Sequence, residues 1–157
     1  IGDAPLVSVW IPFDAVTRSN GAMAYVPESH RAGGLRPVDI THTTEPYDIL
    51  NDPKLAERTP QWMEVDAGDM IWHHGYTIHQ ASANSSSVTR RVFTVVFIAD
   101  GSTRKKPWPT FPLDRDQVGV GDEIAGEGMP VLWPKPDKTP PVPDHQGVLL
   151  GVQSRVL

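Results

Sequence analysis

The sequence predicts an all-β-dominated domain, an antiparallel sandwich or barrel with few short helices. Three observations carry that prediction. Sixteen prolines and thirteen glycines in 157 residues leave little room for long helices. Apolar residues alternate, or run in short stretches rich in β-branched and aromatic side chains. Turn signals separate those stretches at short, uneven intervals. The length suits one domain with a real core.

The elements follow in order. "PLVSVWIPF", residues 5–13, reads as a strand with Val7, Val9, Ile11 and Phe13 on one face and Leu6, Ser8 and Trp10 on the other. "TRSNG", residues 17–21, is a turn, because Asn-Gly tolerates positive φ. "AMAYVP", residues 22–27, is a second strand. From 28 to 62 the chain is polar and broken by Gly and Pro, and reads as a long loop or lid, with one short helix over "NDPKLAER", residues 51–58, started by Asn51 or Asp52. "WMEVDAGDMIWHH", residues 62–74, gives two short strands around an Ala-Gly-Asp turn. "RRVFTVVFIA", residues 90–99, is the clearest strand; both of its faces are apolar from Val92 onward, so it is expected to be buried on both sides. Residues 101–157 hold most of the prolines and read as an extended tail wrapping the 1–100 core.

Charge and composition exclude several classes. A formal net charge of -5 argues against a nucleic-acid footprint, which needs clustered Lys and Arg. The one basic run, Arg104, Lys105 and Lys106, reads as a solvated loop. With no cysteine there is neither a disulfide framework nor a thiolate metal site. No apolar run reaches the roughly 18 residues of a membrane span, and "IGDAPLVSVW" lacks the basic start of a signal peptide. The expectation is a cytoplasmic protein with a small-molecule substrate, no nucleic-acid partner and no membrane partner. The absence of an initiator Met and the strand close to Ile1 suggest a piece of a longer protein.

The chemistry concentrates in "GDMIWHHGYTIHQASANSSSVTRR", residues 68–91. His79 ends a strand-like segment and immediately precedes a polar loop. His73 and His74 are adjacent, so on a strand they point to opposite faces and cannot both serve one site. Arg90 and Arg91 open the most apolar strand. An arginine keeps its charge, so one turned inward needs an anion: a protein carboxylate, or the carboxylate of a small ligand held by two N–H donors. Alternation alone does not say which arginine points in.

Taken in order, "WIPFD", "SNGAM", "VPESHR", "AGD" followed by histidine, "ANSS" and then arginine strongly resemble the C-terminal two-thirds of the phytanoyl-CoA dioxygenase family over residues 5–100. The resemblance implies a double-stranded β-helix (a cupin-like jelly roll) and an Fe(II)- and 2-oxoglutarate-dependent dioxygenase. Such enzymes use O2 to hydroxylate an unactivated C–H bond while 2-oxoglutarate is split to succinate and CO2. It assigns His79 as an iron ligand, Arg90 as the grip on the distal carboxylate of 2-oxoglutarate, and Trp10 as a lining residue of that pocket. His30, His74 and Asn20 match positions near the site and are candidates for substrate or outer contacts.

Two departures from the family pattern stand out. The H-x-D motif that supplies the other two iron ligands occurs nowhere in this chain, and Gln80 and Ala81 stand where Gly-Ser often follows the histidine. With one ligand of three, the chain alone is expected to hold Fe(II) weakly and to be inactive as it stands. Either the chain is the N-terminally incomplete part of a longer protein, or a second copy completes the sheet in a homodimer. Rival readings are a 2-oxoglutarate-dependent halogenase, with a small residue in place of the carboxylate, and a non-catalytic cupin-like module that binds a small ligand without metal.

Overall fold

The computed structural model describes residues 5–35, 48–107 and 109–139. They fall into two compact units, Pro5–Phe97 and a second that begins at Ile98.

The first unit is built from two three-stranded antiparallel sheets. One has the order β4-β1-β6 and the other β3-β2-β5. The strands are β1 (Leu6–Pro12), β2 (Met23–Tyr25), β3 (Gln61–Met63), β4 (Ile71–His74), β5 (His79–Ala81) and β6 (Val92–Ile98). β1 and β2 follow each other in the chain yet sit in different sheets, the pattern of a jelly roll rather than a hairpin. The turn between them is fixed by Asn20. Its Oδ1 accepts from the Thr17 N–H at 2.8 Å and its Nδ2 donates to the Ala15 carbonyl at 2.9 Å. Gly21 follows at φ +104°, a backbone region that side chains with a Cβ avoid. Val16 and Val65 then tie this corner to the start of the next segment with a two-way bridge, 2.8 and 3.1 Å.

The register sets which side chains meet. β1 and β4 pair Trp10 with Ile71, Val9 with Trp72, Ser8 with His73 and Val7 with His74. Trp10 and Ile71 belong to the buried cluster with Val16, Ala22, Met23 and Tyr25. Alternation therefore turns Ser8 and His73 to the same inner face, and Val9, Trp72 and His74 to the outer one. On the outer face the Trp72 and Phe97 rings stack at 5.7 Å, reaching across β1 over Val9, which is only 3% exposed.

Sequence and structure differ in two places here. β6 is not buried on both sides: Phe93 is 54% and Val96 49% exposed, because β6 is an edge strand whose only described neighbour is β1. An apolar pattern states what a strand could bury, not what covers it. The short helix over residues 51–58 is two 3-10 turns, Ile49–Asn51 and Pro53–Leu55, with Asp48 and Asp52 accepting from the Leu50 and Lys54 N–H groups. The middle of the proposed lid, 36–47, lies outside the described residues.

The second unit corrects the reading of the basic run. Arg104 is 7% exposed. It pairs with Asp114 at 2.7 Å and donates to the Val118 carbonyl at 2.7 Å and the Lys106 carbonyl at 3.2 Å. Asp114 lies on the short helix α1 (Phe111–Arg115). The backbone of the same loop is laced to residues 121–124 by Arg104 N–H to Asp122, Gly121 N–H to Arg104 and Ile124 N–H to Ser102. Arg104 is thus a buried, paired side chain rather than part of a solvated patch. No helix of the described residues is long and apolar enough to cross a membrane.

Candidate functional site

The inner face of the first unit collects the polar and charged groups that its apolar cluster does not need. β5 is held in place before it begins. The Val26 N–H donates to the Ile78 carbonyl at 2.9 Å, and the Ile78 N–H donates to the Oγ of Ser29, a fully buried side chain, at 2.8 Å. β5 then pairs with β2, putting His79 opposite Tyr25 and Ala81 opposite Met23. His79 opens this strand and is exposed. Its Nδ1 lies 2.8 Å from the Thr77 carbonyl. A carbonyl can only accept, so Nδ1 carries the proton and the lone pair of Nε2 is left free, the arrangement by which proteins orient a histidine toward a metal.

Three rings meet there. Tyr25 lies 5.8 Å from His79 and 5.0 Å from His73, and His73 lies 4.9 Å from His79. Two buried polar atoms of this group, Tyr25 Oη and His73 Nδ1, have no hydrogen-bond partner among the described residues. Burial pushes the Tyr25 phenol up to about 12 and, helped by the neighbouring His79, holds His73 below the usual histidine range. Both groups are neutral at neutral pH as a result.

The polar loop after β5 is folded on itself. Asn84 accepts from the Ser86 N–H and donates to the Val88 carbonyl, and the Ser85 N–H reaches back to Ser19. Ser82 Oγ is spent on the Arg18 carbonyl at 2.7 Å. The loop delivers two arginines with opposite fates. Arg91 faces out and makes a bidentate pair with Asp14, 2.6 and 2.9 Å, which holds the Asp14 carboxyl below the usual range through that hydrogen bond. Arg90 is half-buried, stands 5.8 Å over the Trp10 ring, and donates to the Gly21 carbonyl. Among the described residues it forms no ion pair, and most of its fork of donors has no partner among them.

Gly21 matters here. A Cβ on it would sit 2.9 Å from Arg90 Nη1, so the guanidinium occupies the space a side chain would need. Trp10 and Tyr25 belong to one buried cluster, which places Arg90 and His79 along its margin.

The remaining candidates lie elsewhere. His74 points to the outer face. Its Nδ1 accepts from the Tyr76 N–H at 3.1 Å, and its ring faces that of His30 at 5.1 Å. Both side-chain ends of Asn20 serve the turn described above. His73 was not singled out as a site residue from sequence. The signal was present in its two-residue step from Ile71, but it decides nothing until Ile71 is known to face in.

No group of three or more His, Cys, Asp or Glu side chains that could hold a metal ion occurs among the described residues. The free Nε2 of His79 and the two orphaned polar atoms beside it fit a bound metal and its ligands, while the rest of a ligand set is not found among these residues.

Comparison with known proteins points one way. Residues 4–92 match the family described as Phytanoyl-CoA dioxygenase (PhyH). A Phytanoyl-CoA dioxygenase domain-containing protein 1 homolog from Caenorhabditis briggsae is 27% identical over 96 residues, 57% of this chain and 33% of the relative. The non-heme alpha ketoglutarate dependent carbocyclase SnoK from nogalamycin biosynthesis superposes with a TM-score of 0.64 at 29% identity, over 78% of this chain and 47% of that one. The epimerase SnoN, solved in complex with Fe3+, alpha ketoglutarate and nogalamycin RO, gives a TM-score of 0.52 at 25% identity, over 83% and 48%. The chain thus spans about a third of the length of the curated relative it matches.

Proposed function

The chain belongs to the phytanoyl-CoA dioxygenase family, and from that premise we propose that it carries the cosubstrate half of an Fe(II)- and 2-oxoglutarate-dependent oxygenase site. The observation that carries this reading is Arg90. It is an inward guanidinium with no carboxylate of its own among the described residues, braced against Gly21 and Trp10, while its neighbour Arg91 is satisfied by Asp14. A planar fork left open beside an aromatic wall suits the distal carboxylate of a dicarboxylic acid.

His79 Nε2 is the metal donor in this reading, and the Thr77 carbonyl fixes its tautomer. Iron and 2-oxoglutarate, when bound, supply the oxidising chemistry that no side chain provides. The chain's own residues do the rest: Arg90 orients the cosubstrate, Trp10 forms the wall of its pocket, and the Tyr25 hydroxyl offers a neutral donor toward whatever lies between them. The likeness to SnoK and SnoN supports the iron and 2-oxoglutarate dependence, and the substrate is a small organic molecule.

Calorimetry and nitrogen-15 NMR on the chain test this. Mn(II) should broaden the signals around Tyr25 and His79. 2-Oxoglutarate should shift the Arg90 side chain only when metal is present, and His79→Ala should abolish that metal-dependent shift. Ligand binding that needs no metal and ignores His79→Ala would instead identify a non-catalytic binding module and refute the oxygenase.

A further inference from the structure

Of the seven residues of β6, VFTVVFI, none is charged and none is buried. Among the described strands only β1 pairs with it. Just before β6, the Arg91 carbonyl accepts from the Phe13 N–H at 3.0 Å, so the odd-numbered residues direct their backbone groups toward β1. Alternation turns the N–H and C=O groups of Val92, Thr94, Val96 and Ile98 to the other edge. Proteins guard such an edge with lysine, proline, a bulge or a covering segment. This strand contains neither lysine nor proline, and Phe93 and Val96 stand half exposed on it.

The strand also reads nearly the same in both directions. About Val95, Thr94 balances Val96, Phe93 balances Phe97, and Val92 balances Ile98. A two-fold strand pair demands that self-complementarity, because residue i of one copy meets j of the other and j meets i. Antiparallel pairing about Val95 makes Val92 with Ile98, and Thr94 with Val96, the hydrogen-bonded pairs, and these are the residues whose backbone groups point outward. It sets Phe93 of one copy against Phe97 of the other on the outer face, in a non-hydrogen-bonded pair, where side chains come closest. Phe97 already stacks on Trp72 at 5.7 Å, so the second copy's Phe93 prolongs that stack into a row of three rings. A register shifted by two residues either way opposes Phe93 to Val95 or to Ala99 and loses the match.

We propose that this chain self-associates as a two-fold dimer through the edge of β6, the two copies pairing antiparallel about Val95 into one six-stranded sheet, β4-β1-β6-β6-β1-β4. None of the groups assigned to metal or 2-oxoglutarate takes part, so the dimer stands independently of the oxygenase reading. One strand pair buries less than the roughly 1,200–2,000 Å² of a standard interface, so dimer and monomer exchange with concentration.

Analytical ultracentrifugation of the 157-residue chain should show that monomer–dimer equilibrium. Thr94→Lys with Val96→Lys puts like charges opposite each other across the pair and should weaken the dimer at least tenfold. Thr94→Glu with Val96→Glu should do the same. Mixing the two variants in equal amounts should restore a dimer, which misfolded chains would not do. The chain has no cysteine, so one introduced at Val95 reports the register directly. Residues opposed in a non-hydrogen-bonded pair lie about 4.5 Å apart at Cα, within disulfide reach. Val95→Cys should therefore cross-link to itself on mild oxidation at least tenfold faster than Val131→Cys, an exposed position in the second unit. A monomer at every concentration overturns the proposal, and slow amide exchange at Thr94 and Val96 in that monomer would identify another segment of the same chain as the cover of this edge. Assemblies larger than a dimer, charge variants that still self-associate, or equal cross-linking at Val95 and Val131 overturn it as well.

Discussion

Arg90 and Arg91 are chemically identical, adjacent, and followed by a strand apolar on both faces, so the residue pattern gave no reason to prefer either. The structure separates them by partner: Asp14 takes Arg91, and Arg90 keeps an open fork over Trp10. Arg90→Lys keeps the charge but loses the planar pair of donors. Each lost hydrogen bond to a charged group is worth about 1.5–3 kcal/mol, so metal-dependent 2-oxoglutarate affinity should fall at least tenfold by calorimetry. Arg91→Ala should leave that affinity unchanged, and an equal loss in both variants would contradict the division of roles. Gly21 extends the argument. Gly21→Ala must place a Cβ at φ +104° and 2.9 Å from Arg90 Nη1, so it should destabilise the fold by roughly 1–3 kcal/mol in urea unfolding. It should also displace the guanidinium and weaken 2-oxoglutarate. None of this could be read from "SNG" as a turn signal, because the second demand on the glycine comes from a side chain 69 positions away.

At the scale of elements, periodicity located the strands well and their surroundings poorly. β1, β2, β4 and β6 fall inside the stretches where alternation predicts strands, since a two-residue period is a local property. Burial is not local, so the apolar run predicts an interior strand for β6, which lies at an edge of the described sheet. Arg104 errs in the opposite direction. A run of Arg-Lys-Lys reads as solvated, and only the fold brings Asp114 and the Val118 carbonyl around the first of the three. The Asp114 carboxyl is held below its ordinary value of 3.8, first by the Thr110 backbone N–H and then by Arg104. A carboxylate with a depressed folded-state pKa contributes stability that is present in full above the unfolded value and is lost as pH falls through the folded one. Amide exchange at Arg104, Gly121 and Ile124 should therefore speed up as pH drops below about 4, after correction for intrinsic rates. Asp114→Asn should flatten that dependence while raising exchange at neutral pH. A profile unchanged by the substitution would show that the ion pair does not hold this unit together.

At the scale of the molecule, the first unit is a pair of small sheets whose inner faces share one cluster, while the outer face of β4-β1-β6 stays half open to water. The family resemblance supplied the jelly roll, because strand order depends on pairings between residues far apart in the chain, which periodicity does not encode. The open outer face follows from that topology. Trp72, at 57% exposed, and Phe93, at 54%, lie on it, with the Trp72–Phe97 stack shielding Val9. Rings left half in water forgo part of the roughly 1.5–3 kcal/mol that full burial of such a side chain returns. Removing them should therefore cost this chain less than a core truncation would. A contiguous apolar face of this kind also attracts amphiphilic dyes. Trp72→Ser combined with Phe93→Thr should lower anilinonaphthalene sulfonate fluorescence several-fold while leaving the far-ultraviolet circular dichroism unchanged, because threonine keeps the β propensity of the edge strand and both positions lie outside the buried cluster. Dye binding that persists at the wild-type level in this variant would mean that the exposed apolar surface lies elsewhere than on the outer face of β1, β4 and β6.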